Sequence, residues 1–111
     1  MMFDKFCIEK ILSGYKTVTR RIKRNNKRPA IPGKIHKLKI DRTDKTYGYI
    51  RIISCDKESI EATMNMNQVE AIKEGFNDAD EFKRYWLDKN PNRSNEVWRV
   101  EFELLNKNEV I

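Results

Sequence analysis

Eleven basic residues fall between positions 10 and 40: Lys10, Lys16, Arg20, Arg21, Lys23, Arg24, Lys27, Arg28, Lys34, Lys37 and Lys39. No Asp or Glu lies among them. The other 12 of the 23 basic residues share the remaining positions with all 17 acidic ones, so the net charge of +6 belongs to one segment. Such asymmetry attracts polyanions and speeds their encounter. The expected partner is therefore RNA or a nucleotide, held in a basic cleft around residues 14–28. Arg20, Arg21, Lys23 and Arg24 supply its phosphate contacts. Tyr15 and Tyr47 sit near turns beside this stretch and can stack on an unpaired base. His36 is the single histidine, and no Cys/His cluster exists. That excludes a histidine-pair nuclease and a zinc site, so no metal and no cofactor are expected.

A chain of 111 residues fits one domain, here taken as residues 1–105 with a frayed tail at 106–111. Hydrophobic residues make up 39% and charged residues 36%, a highly charged globular composition. No apolar run is long enough to span a membrane. The N-terminus has no apolar signal region, so a cytoplasmic monomer is the expectation. Cys7 and Cys55 lack metal or redox spacing and read as reduced core residues.

The elements that must carry these residues follow from periodicity. Phe3, Phe6, Ile8, Ile11 and Leu12 give a helix over 4–13, capped by Asp4 and ended by Gly14. Residues 16–22 read as a strand, 23–33 as a basic loop, 35–40 as a strand and 41–45 as a turn. A stronger strand covers 47–55 and a weaker one 59–64. Asn67 caps the next helix, with Glu70 completing a capping-box-like pair and Val69, Ile72 and Phe76 facing inward. A second helix starts at Asn77 or Asp78 and buries Phe82, Tyr85, Trp86 and Leu87. The last strand alternates Trp98, Val100, Phe102 and Leu104 inward. Strands with interposed helices give an α+β domain built on a small, strongly bent sheet or barrel.

The run from Gly14 to Arg21 resembles the signature of the ASCH domain family, Gly-x-Lys followed five residues later by Arg, filled here by Gly14, Lys16 and Arg21. The stretches 69–76, 82–86 and 97–102 resemble the family in kind and order. The resemblance implies a PUA-like β-barrel of about five to six strands with two to three helices outside, and RNA- or nucleotide-related ligands. One branch of small ASCH proteins hydrolyses N(4)-acetylcytidine to cytidine and acetate. Many ASCH proteins carry an acidic residue three positions after the motif Lys; this chain has Thr19, as that branch does. The branch's catalytic Lys, Thr and Glu fall on Lys16, Thr19 and Glu74. Two readings follow: an RNA- or nucleotide-binding domain, and, as the alternative, an amidohydrolase.

For the second reading, Thr19 is the nucleophile, Lys16 the base that activates it and Glu74 a proton relay to the leaving nitrogen. A lysine serves as base only when burial or neighbouring cations, here Arg20 and Arg21, favour its neutral form. Arg21 can hold a carbonyl or a phosphate. In a regular strand residues 16 and 19 face opposite ways. Lys16 joins Thr19 only at a strand entrance after the Gly14 turn, or at a bulge. Arg20 places a charge where a strand flanking a small pocket would carry an apolar residue.

Overall fold

Asp4 caps the first helix as its sequence position predicts: its carboxylate accepts from the Cys7 amide at 2.9 Å. The computed structural model describes residues 1–22, 27–43, 45–91 and 96–106. Lys23, Arg24, part of the expected 41–45 turn and most of the expected tail lie outside them. The elements run α1 (Lys5–Leu12), β1 (Val18–Ile22), β2 (Ile35–Leu38), β3 (Gly48–Ser59), α2 (Ile60–Met64), α3 (Gln68–Lys73), α4 (Ala79–Lys89) and β4 (Glu96–Leu105).

The strands form one antiparallel sheet in the order β1-β4-β3-β2, curled into a half-barrel. A bulge between Ile52 and Ser54 turns Ile53 outward and bends β3. The first residues lie along the far end of β2. The Phe3 amide donates to the Lys39 carbonyl at 2.8 Å, and Lys39 returns a bond to the Met1 carbonyl at 3.1 Å. Arg21 of β1 donates to the Met2 carbonyl at 2.6 Å, so residues 1–3 span from one sheet edge toward the other.

The expected barrel of five to six strands and two to three helices is corrected here: the described residues hold four strands and four helices. The difference arises at 59–64, expected as a strand. β3 runs on to Ser59, whose hydroxyl then accepts from the Ala62 amide at 3.0 Å and starts α2 instead. Thr63, β-branched and fully buried, bonds Glu58 at 2.7 Å and stays helical because tertiary contact outweighs its propensity.

Both faces of the sheet are covered. One side packs Phe3, Ile8, Ile11, Ile52 and Phe102 against α1; the other packs Ala71, Phe76, Phe82 and Trp86 of the helical layer around Val97. This two-sided cover explains why β4 buries Val97 as well as Trp98. Leu104, expected inside, instead lines an open second cavity with Leu12, Tyr47 and Tyr49. Of the expected inward residues Val69, Ile72 and Phe76, only Phe76, just beyond α3, is buried; within α3 it is Ala71 that faces the core. Cys7 and Cys55 are buried free thiols. No helix among the described residues is long and apolar enough to cross a membrane.

Two glycines place the ends of α1 and α3. After α1, the Gly14 amide bonds the Ile11 carbonyl and the Tyr15 amide bonds the Lys10 carbonyl, both at 3.0 Å. After α3, Gly75 bonds Ile72 and Phe76 bonds Ala71, both at 2.9 Å. Each is a Schellman cap, and each glycine is left-handed, with φ of 84° at Gly14 and 98° at Gly75. Lys16 lies two residues beyond the first cap, and Glu74 immediately before the second glycine.

Candidate functional site

Those two caps bring Lys16 and Glu74 into contact. The Lys16 ammonium donates to Glu74 Oε1 at 2.9 Å, to the Glu74 carbonyl at 2.9 Å and to the Val18 carbonyl at 2.8 Å. All three of its hydrogens are committed. Lys16 and Glu74 are each 3% exposed. The helix ends are pressed together: a Cβ on Gly75 would lie 3.4 Å from the Cβ atoms of Lys10 and Lys16. Gly75→Ala adds a side chain at φ 98° against this contact. It is expected to cost about 1–2 kcal/mol in urea unfolding.

The facing problem between residues 16 and 19 is solved at the strand entrance. β1 begins only at Val18, so Lys16 precedes the regular alternation. Thr19, 6% exposed, pairs with Val100 of β4. It lines the same cavity as Lys16 and Glu74, a space of about 440 Å³ between α1, β1 and α4. That size is ordinary for a small-molecule pocket. No hydrogen bond engages the Thr19 hydroxyl among the described residues. Cys7, Arg21, Ile40, Tyr85 and Lys89 complete much of the wall.

Arg20 points to the other side of β1 and meets carboxylates. Its guanidinium bonds Glu58 Oε2 at 2.6 Å, Glu70 Oε1 at 2.7 Å and Glu74 Oε2 at 2.9 Å. Glu74 is thus held by Lys16 on one oxygen and Arg20 on the other. Arg20 pairs in register with Arg99, a like-charge neighbour. Glu70 offsets this by also accepting from Arg99 at 2.7 Å. Burial works against the charge on Arg20, but its hydrogen bond to Glu58, the negative charge of Glu74 and its hydrogen bond to Glu70 prevail and raise its pKa. The Arg99 hydrogen bond and then Arg20 pull Glu70 down to about 2.

This gives the fold a pH dependence of fixed sign. Glu70 sits below its ordinary 4.5, so its stabilising contribution is complete above pH 4.5 and lost as pH falls toward about 2. Thermal melts should show the midpoint falling through that window. Glu70→Gln should flatten the fall.

Solved structures place this architecture. No family model matches the sequence, and no curated protein matches it. The ASCH domain from Lactobacillus crispatus JV V101 superposes with a TM-score of 0.66 at 14% identity, covering 94% of this chain and 76% of that one. The fold is that of an ASCH domain. The hypothetical protein PH0355 superposes with a TM-score of 0.69 at 18% identity over 95% of this chain and 96% of its own. Protein EF3133 from Enterococcus faecalis V583 gives 0.61 at 15% identity, over 94% and 74%.

Within the ASCH fold the expected site residues divide. Lys16, Thr19 and Glu74 converge on the cavity, and Arg21 lines it as well. Arg20 touches the cavity wall, but its guanidinium is spent on carboxylates, so the expected role as a ligand contact is corrected to an internal one. Tyr15 lies outside the cavity, 64% exposed, with the Lys10 ammonium 5.4 Å from its ring. Tyr47 lines the second cavity, with Lys45 over its ring. His36 is half-buried on β2. Glu58, Glu70 and Arg99 were not anticipated as part of the site. The signal for them was Arg20 itself: alternation puts it on the Val18 and Ile22 side, and a buried charge requires counter-charges. The Glu70 carboxylate goes to Arg20 and Arg99 rather than closing a capping box, although its amide does bond Asn67 at 2.9 Å.

Proposed function

We propose that the cavity takes a cytidine-type base and that the chain hydrolyses N(4)-acetylcytidine to cytidine and acetate. The observation that carries this reading is the convergence of Lys16, Thr19 and Glu74 on one cavity, with Lys16 bonded to Glu74 at 2.9 Å. The pair shares one acidic proton. Moving it along their hydrogen bond leaves lysine as an amine and Glu74 as a carboxylic acid, a base and an acid side by side. The Thr19 hydroxyl then adds to the acetyl carbon and gives its proton to Lys16. Glu74 gives its proton to the exocyclic nitrogen as the C–N bond breaks, releasing cytidine. In the second half, the proton Lys16 took from Thr19 first moves along the same hydrogen bond to Glu74; water then attacks the Thr19 ester and Lys16 takes one of its protons. Glu74 returns a proton to Thr19 Oγ1, and the acetic acid formed ionises on leaving. Arg20 and its carboxylates hold Glu74 in place throughout.

Incubating the native chain with N(4)-acetylcytidine and separating the products by chromatography tests this. Cytidine and acetate should appear in equal amounts. A folded protein that releases neither would remove the reading.

Binding of RNA or a nucleotide without chemistry is the second reading. It is favoured by the exposure of Lys27, Arg28, Lys34 and Lys37, with Tyr15, Lys23, Arg24 and Tyr47 as further contacts. It requires affinity for RNA that falls steeply with salt. Affinity equal at low and high salt would eliminate it.

A further inference from the structure

Arg20 and Arg21 are chain neighbours with opposite surroundings. Arg20 is caged by three carboxylates. Arg21 lies on the cavity side of β1. Its guanidinium is 4.8 Å from the centre of the Phe3 ring and donates one bond, to the Met2 carbonyl. Among the described residues no carboxylate lies within ion-pair distance of it. A guanidinium carries five N–H groups, so four have no acceptor among the described residues. Burial draws Arg21 below its ordinary pKa, the reverse of Arg20, because no carboxylate bond counters the lost hydration. Lys5 and Lys89 line the same cavity. Lys89 is only loosely held, 3.6 Å from Asp4.

Such a cation, half-buried in a concave site with most of its N–H groups uncommitted, is placed to meet an anion. Lys16 cannot be that anion's anchor, since its hydrogens are all donated to Glu74 and Val18. The planar fork of an arginine suits two phosphate oxygens at once. We propose that Arg21 binds a phosphate in this cavity, with Lys5 and Lys89 as outer cations, so that the site takes cytidine as a nucleotide in preference to the neutral nucleoside. This deepens the cytidine reading and rests on it for the choice of base.

Calorimetric titration of the full chain with cytidine and with cytidine 5′-monophosphate, at low salt, tests the assignment. A charge-assisted bond to phosphate predicts binding of the monophosphate about tenfold tighter than cytidine, or more. In Arg21→Gln that advantage should shrink to about twofold, with the thermal midpoint as the check on folding. Arg21→Lys keeps the charge without the fork and should retain part of the advantage. A short RNA with an internal cytidine identifies the source of the phosphate. Equal or tighter binding than the monophosphate, again lost in Arg21→Gln, assigns it to a strand; weaker binding assigns it to a free nucleotide. Equal affinity for cytidine and its monophosphate in the native chain would overturn the proposal. So would an advantage that survives in Arg21→Gln, or no binding of the monophosphate at all. Turnover is not read in this experiment. A chain that binds the monophosphate through Arg21 but releases no acetate keeps this proposal and loses the hydrolytic one.

Discussion

Glu74→Ala should destabilise the fold by about 3–5 kcal/mol, measured by urea unfolding. Glu74 is almost fully buried and accepts from both Lys16 and Arg20. Removing it leaves the Lys16 ammonium with two backbone acceptors and no counter-charge. Arg20 keeps Glu58 and Glu70, so the larger share of the loss falls on Lys16. Glu74→Gln separates charge from shape. Its amide oxygen can still accept from one cation, so it should lose less stability than the alanine variant while losing the carboxyl proton that the leaving nitrogen needs. A loss below about 1 kcal/mol in Glu74→Ala would mean the pair contributes no more than an exposed surface ion pair.

Thr19→Ala should do the opposite: little change in stability and a large change in rate. The Thr19 hydroxyl makes no hydrogen bond among the described residues, so the substitution breaks none and costs only the packing of one methyl group. The thermal midpoint should stay near that of the native chain. Turnover of N(4)-acetylcytidine should fall by about 10⁴-fold or more, the scale of removing a nucleophile from a site that acts as a unit. Steady-state rates on matched protein concentrations check this. A variant that keeps its rate would leave Lys16 and Glu74 as the working pair and take Thr19 out of the chemistry.

These two outcomes depend on features of different legibility. The caps were readable because they are local: Asp4, Gly14, Asn67 and Asp78 sit at helix ends, where one residue type decides the geometry. β1 was readable from its β-branched residues and β4 from alternation, except at the ends. Leu104 turns toward an open cavity there, and Val97 is covered by helices on the second face. The segment 60–64 was misread because its residue types suit a strand, while the Ser59 cap and the bond from Thr63 to Glu58 make it a helix. Lys16 and Thr19 were found through the Gly14-to-Arg21 resemblance, but their common facing was left open between a strand entrance and a bulge, and only the start of β1 at Val18 decides for the entrance. The carboxylate cage was not found, because Glu58, Glu70 and Glu74 reach Arg20 across 38 to 54 residues of chain. Eleven basic residues read as one surface field, yet Lys16 and Arg20 are buried and neutralised. Local pattern specifies which residues are charged; only the folded contacts show which charges face solvent.

The covalent step through Thr19 is the centre of the account, and mass spectrometry of protein quenched during turnover addresses it most directly. An acetyl group on the peptide that contains Thr19, assigned to Thr19 by fragmentation and absent from Thr19→Ala, is the predicted result. Steady release of cytidine with no acetyl on Thr19, or with the acetyl on Lys16, would contradict it.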